Sequence, residues 1–163
     1  MSLKGLLKMV DFKKSFSIGI SAAEKAEKSK KEISSVFQNL NDQLGQATNG
    51  KIFIERVKFY EPTDFFDLSL FKKRPTYWGI GAKNPTASDT KTREIAKWSQ
   101  DKAGYPCKIS FGKNVIHCED KQALELGLSE LLEDPGTGEI FHKLIRLPEE
   151  EAPNNTKQPE ADA

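Results

Sequence analysis

Apolar residues recur along this chain with two different periods, and the switches between them predict its elements. Between Lys51 and Tyr60, Phe53, Val57 and Phe59 fall on one side of a strict alternation and Ile52 and Ile54 on the other. Apolar content on both faces predicts a central strand, ended by Glu61-Pro62. Tyr77 to Lys83 alternates too, with Trp78, Ile80 and Ala82 opposed to Gly79 and Gly81. The glycine face of this second strand lets something approach closely, and a packed helix is the expected neighbour. Residues 106–111 and 114–118 then flank Gly112-Lys113. Glycine at the first of two central positions predicts a type II′ hairpin. That register sets Ile109 against Ile116 and Cys107 against Cys118. A three-residue link, Gly112 to Asn114, would set Cys118 against Lys108 instead; the Ile–Ile match favours the first register.

The remaining apolar positions carry the helical period. Leu3, Leu6, Leu7 and Val10 predict a short amphipathic arm with Lys4, Lys8, Lys13 and Lys14. Ser21-Ala22-Ala23-Glu24 is a capping box, which places a helix start at Ser21. Ala26, Ile33, Phe37, Leu40 and Leu44 follow, and Gly45 is the expected C-terminal stop. A second helix is expected from Ser88 or Asp89 to Ala103, with Ile95 and Trp98 facing inward and Gly104 closing it. Asp120 caps a third, carrying Leu124, Leu128 and Leu131, which Asp134-Pro135-Gly136 ends. Thr137 is the expected cap of a last short helix bearing Ile140, Phe141, Leu144 and Ile145. Thr63-Asp64 either caps a short helix with Phe65, Phe66 and Leu70 or opens a loop.

These elements predict an α+β fold. A small, mainly antiparallel sheet of about four strands packs against helices, with a long N-terminal helix and a disordered acidic C-terminal tail. The expected organisation is an arm over residues 1–20, one domain over 21–147 and the tail over 148–163.

Composition narrows the class. The chain has 163 residues, 37% apolar and 30% charged, which suits one polar domain. No apolar run approaches the roughly 20 residues of a membrane span. The net charge of +1 hides a segregation. Residues 1–60 hold eleven Lys/Arg against six Asp/Glu, residues 61–118 ten against six, and residues 119–163 four against twelve. Two cysteines without a ligand spacing fit a reducing, cytoplasmic setting, with both thiols buried and unbridged.

Candidate chemistry is sparse. A metal would need two ligands beyond the cysteines; His117 points away from its neighbour Cys118, and His142 is distant in sequence. No phosphate loop, nucleophile elbow or zinc-helix motif occurs. The expectation is therefore a non-enzymatic protein without cofactor, metal or catalytic residues. Its leading function is docking a protein partner or a second copy, and membrane binding is not expected. The candidate partner surface is Phe65, Phe66, Leu70 and Phe71 with the adjacent Lys72, Lys73 and Arg74. The alternative is nucleic-acid binding by the basic surface of residues 1–118, regulated by the acidic tail. Its candidate contacts are Lys28, Lys30 and Lys31 on the long helix and Lys91, Arg93 and Lys97 on the expected second helix.

Overall fold

The computed structural model describes residues 9–62 and 73–151. It has the order α1 (Phe12–Thr48), β1 (Phe53–Tyr60), β2 (Thr76–Lys83), β3 (Arg93–Asp101), β4 (Gly104–Phe111), β5 (Asn114–Cys118), α2 (Lys121–Glu133) and α3 (Pro135–Ile145). The fold is α+β as expected, but the antiparallel sheet has five strands, in the order β1-β2-β3-β4-β5.

The extra strand is β3, where a helix was expected. The misreading came from Ile95 and Trp98, three residues apart and both buried. In the structure they belong to an alternation interrupted once. The β2–β3 register shifts between Ile80 and Gly81: Ile80 pairs with Ala96 but Gly81 with Glu94, so Ile95 is an extra residue. A bulge of this kind imitates helical spacing. Gly104 is accordingly no helix stop. It opens β4 with φ 97°, in the left-handed region that glycine tolerates best.

The hairpin between β4 and β5 has the predicted register, Ile109 against Ile116 and Cys107 against Cys118. The helix after it also matches. Asp120 accepts a hydrogen bond from the Ala123 amide at 2.8 Å, and Leu124, Leu128 and Leu131 are buried. Asp134 ends α2 and begins α3 at once, accepting from the Thr137 amide with Pro135 in the first helical turn. Asp134, not Thr137, is the cap.

The three helices among the described residues lie on one face of the sheet. Ile54, Ile80, Ala82, Ala96, Trp98, Cys107, Ile109 and Cys118 form the core there with Ile33, Val36, Phe37, Leu124, Leu128, Leu131 and Leu144. α1 crosses from β4, where Ser29 abuts Gly104, to β1. At β1 the Asn41 side chain donates to the Ile54 carbonyl at 2.8 Å and accepts from the Ile54 amide at 2.7 Å. It thereby satisfies backbone groups that an edge strand leaves unpaired.

Two boundaries differ from expectation. α1 begins at Phe12, capped by Asp11 through the Lys14 amide, and runs straight through the Ser21 capping box. It also passes Gly45 and ends at Asn49, whose left-handed conformation makes the stop. The expected tail, in turn, is ordered at its start. Ala87 bridges Glu149, and the Glu150 amide donates to the Thr86 carbonyl at 3.0 Å. Residues 152–163 lie outside the described residues, as do 1–8 of the predicted arm.

Candidate interaction surfaces

The open face of the sheet shows what the two glycines of β2 are for. Among the described residues no helix packs there. The Phe59 ring of β1 lies across them instead: a Cβ on Gly79 would come 2.7 Å from two ring carbons, and one on Gly81 would meet Phe59 and the Thr92 methyl. Around this ring the polar groups pair with one another. Tyr77 donates to Glu94 at 2.5 Å, Thr92 donates to Glu55 at 2.7 Å, and Lys83 lies 3.5 Å from Glu55. The hydrogen bond to Glu94, followed by burial, raises the Tyr77 pKa. The carboxylates of Glu55 and Glu94 are thereby paired, while Lys97, opposite Gly79 on the same face, lies 5.5 Å from the Tyr77 ring centre.

The two cysteines are buried and unbridged on the helix side. Burial pushes the Cys107 thiol up to about 12, with Cys118 adding to the rise and Arg56 opposing it. Cys118 is raised by burial and by Asp120. Such thiols are inert rather than nucleophilic. Among the described residues no three His, Cys, Asp or Glu side chains gather as metal ligands, and no helix is long and apolar enough to cross a membrane.

The predicted site residues are scattered. Phe65, Phe66, Leu70, Phe71 and Lys72 lie outside the described residues. Lys73 and Arg74 are exposed just before β2. Lys28, Lys30 and Lys31 are exposed on α1, with Lys31 paired to Glu27 at 3.1 Å. Lys91 sits in the connection before β3. Arg93 and Lys97 are on β3, not on a helix; Arg93 stands opposite Ala82 and Lys97 opposite Gly79, which puts them on opposite faces of the sheet. The six proposed nucleic-acid contacts therefore form no single patch.

Two other surfaces emerge. The first is the N-terminal half of α1. Burial along the helix begins in earnest only at Ile33, with Ala26 and Ser29 partly covered. Upstream, Phe12 is 77% exposed, Phe16 70%, Ile18 60% and Ile20 46%. The capping box at Ser21 drew the predicted start past these residues, so their placement on a free helix was missed. Their helical spacing was the available signal.

The second surface lies on the helix side of β1 and β2, beside α1. Three cations sit over aromatic rings there. The Arg56 guanidinium is 4.7 Å from the Phe37 ring centre and 5.8 Å from that of Trp98. Lys58 is 5.3 Å from the centre of Trp78, and Arg74 is 5.1 Å from that of Tyr60. Arg56 also donates to Gln100 and Ser34, each at 3.2 Å. Burial lowers the Arg56 pKa, which Cys107 partly offsets. Tyr60 and Trp78 are exposed, and a cavity of about 440 Å³ opens between Arg56, Trp78, Trp98, Gln100 and Asp101. Basic residues interleaved with aromatics on β1 were visible in the sequence. Their gathering beside Trp78 depends on the β1–β2 register.

Comparison with known protein families, with curated proteins and with solved structures found no match to this chain.

Proposed function

We propose that this chain is a protein-docking module without a catalytic centre, and that its docking element is the free half of α1. One observation carries the proposal: four large apolar side chains, Phe12, Phe16, Ile18 and Ile20, stand exposed on a helix that has already left its domain. Isolated apolar residues on a surface, as Ile18 is on the opposite side of the helix, need no explanation, but Phe12, Phe16 and Ile20 share an arc of about 80° at 100° per residue and form a contiguous patch of the kind that marks an interaction site. Burying one such side chain contributes roughly 1.5–3 kcal/mol. A free helix of this length is also marginal in water, so packing against another helix would stabilise both the contact and the helix itself. The buried, unbridged thiols fit action in a reducing compartment.

The test replaces Phe16 with a photo-crosslinking residue in the full chain, in the native host. Illumination should give an adduct of discrete mass, and Phe12→Ser on the same chain should abolish it. A residue placed at exposed Lys113 serves as control. Absence of any adduct specific to position 16 would remove the proposal.

A second reading, nucleic-acid binding, is favoured by the strip of Arg56, Lys58, Tyr60, Arg74 and Trp78. Exposed rings offer stacking platforms for bases while neighbouring cations meet phosphates, which is how single strands are held without sequence preference. This moves the contacts away from Lys28, Lys30, Lys31, Lys91, Arg93 and Lys97. Anisotropy of a labelled single strand, measured at two salt concentrations, tests it. Trp78→Ala should weaken binding and Lys58→Ala should flatten its salt dependence; no binding at low salt would dismiss the reading.

A further inference from the structure

We propose that the occupant of the free half of α1 is the same half of a second copy, laid antiparallel and centred on Gly19. The inference rests on the docking reading above and names its partner.

The free half is uneven along its length. Its first turns carry the bulky Phe12 and Phe16, and its later turns carry Ala22, Ala23 and Ala26, with Gly19 between. At 100° per residue these six positions share an arc of about 120°, in line with the buried stripe of Ile33, Phe37 and Leu40 downstream. An antiparallel copy centred on Gly19 sets Phe12 opposite Ala26 and Phe16 opposite Ala22. Each large side chain then meets a small one, and the pattern repeats by two-fold symmetry, as a self-complementary interface requires. A parallel copy would set ring against ring at one end and alanine against alanine at the other. One half of that interface would be overfilled and the other half empty.

Charge points the same way. In the antiparallel arrangement Lys13 and the other copy's Glu27 flank the same side of the seam, two residues apart along the axis, while Lys14 lies on the back of the helix. A parallel arrangement would set Lys13 level with Lys13 and Glu27 level with Glu27, fourteen residues from each other along the helix.

Gly19 supplies the third observation. Glycine inside a helix costs about 1 kcal/mol relative to alanine. Among the described residues nothing lies within 4 Å of where a Cβ on Gly19 would be, so their packing does not require a glycine there. At the two-fold centre of a helix pair the missing side chain allows close approach. The geometry leaves room for both domains: from Ser29 of one copy to Ser29 of the other is twenty residues of helix, about 30 Å at 1.5 Å per residue.

The experiment uses the full chain. Light scattering over a concentration series should show a dimer, and Phe16→Ser should weaken it at least tenfold. Gly19→Leu should raise helicity yet loosen the dimer, which a purely structural glycine would not do. Orientation is read by mixing Ser15→Cys chains with Ala23→Cys chains under mild oxidation; Cys107 and Cys118 are too buried to compete. Antiparallel pairing joins the two different variants. Parallel pairing joins only like with like and would overturn the proposal. A monomer at every concentration would also overturn it. The photo-crosslink at position 16 then separates the two failures. An adduct of twice the chain mass supports self-pairing, an adduct of another mass removes self-pairing but leaves docking, and no adduct removes both.

Discussion

At the scale of the residue, the paired thiols were the most legible feature of the chain. Turn chemistry at Gly112-Lys113 determines the register, and the register puts Cys107 against Cys118. Their titration could not be read in advance, because it depends on which face the helices cover. With the Cys107 pKa raised to about 12 by burial, the folded state holds its proton where the unfolded chain has released it. The unfolded chain therefore binds fewer protons above its ordinary thiol value of 9.0, and stability falls as pH rises from there towards 12. Below 9.0 this contribution is complete and constant. Cys118, Tyr77 and Tyr105 are shifted in the same direction, Tyr105 chiefly by burial and then by its hydrogen bond to Glu32. Denaturant unfolding across pH 7 to 11 should show a declining midpoint above about pH 9, the thiol range. The Cys107→Ala, Cys118→Ala double variant should decline less steeply. Both native thiols should also resist an aromatic disulfide reagent until the chain unfolds; rapid reaction of folded protein would contradict the burial argument.

At the scale of the element, short-range chemistry was readable and long-range geometry was not. The caps at Asp120 and the hairpin turn act within four residues, and both stand as predicted. β3 was misread because a bulge at Ile95 breaks the two-residue period, and bulges answer to the neighbouring strand rather than to local sequence. The start of α1 was misread because two valid start signals, Asp11 and Ser21, compete, and nothing between them interrupts a helix. Asn41 shows the limit most clearly. As one polar residue on a long helix it carries no signal, yet it pairs with both backbone groups of Ile54, thirteen residues on. Asn41→Ala strands an amide and a carbonyl at a partly buried site, and it should cost about 1–3 kcal/mol. Urea unfolding measures this. An effect under a few tenths of a kcal/mol would mean that water replaces the side chain at no cost.

At the scale of the whole molecule, the charge split survives but its location changes. The sequence suggested an acidic tail free to cover a basic domain. In the fold, Glu149 and Glu150 are anchored beside Thr86 and Ala87, and Lys51 lies 3.9 Å from Glu149. Residues 152–163 hold only Lys157, Glu160 and Asp162, a net charge of −1. Most of the acidity is therefore on α2, α3 and the segment just after them. The anchored glutamates sit past the Lys83 end of β2, whereas the cation–aromatic strip begins near Trp78, six residues back from Asn84. At about 3.3 Å per residue that separation is roughly 20 Å. It exceeds the Debye length of about 8 Å at physiological salt but not the 30 Å reached at 0.01 M. If the strip holds a single strand, replacing Glu149, Glu150 and Glu151 by Gln should strengthen binding at 0.01 M and leave it unchanged near 0.15 M. Truncation after Glu151 removes a single net charge and should do little at either salt. Anisotropy titrations of the three chains decide the matter. A large gain from the truncation alone would return the regulatory role to residues 152–163, and an equal gain from the Gln variant at both salts would mean that the glutamates contact the strand directly rather than acting through their field.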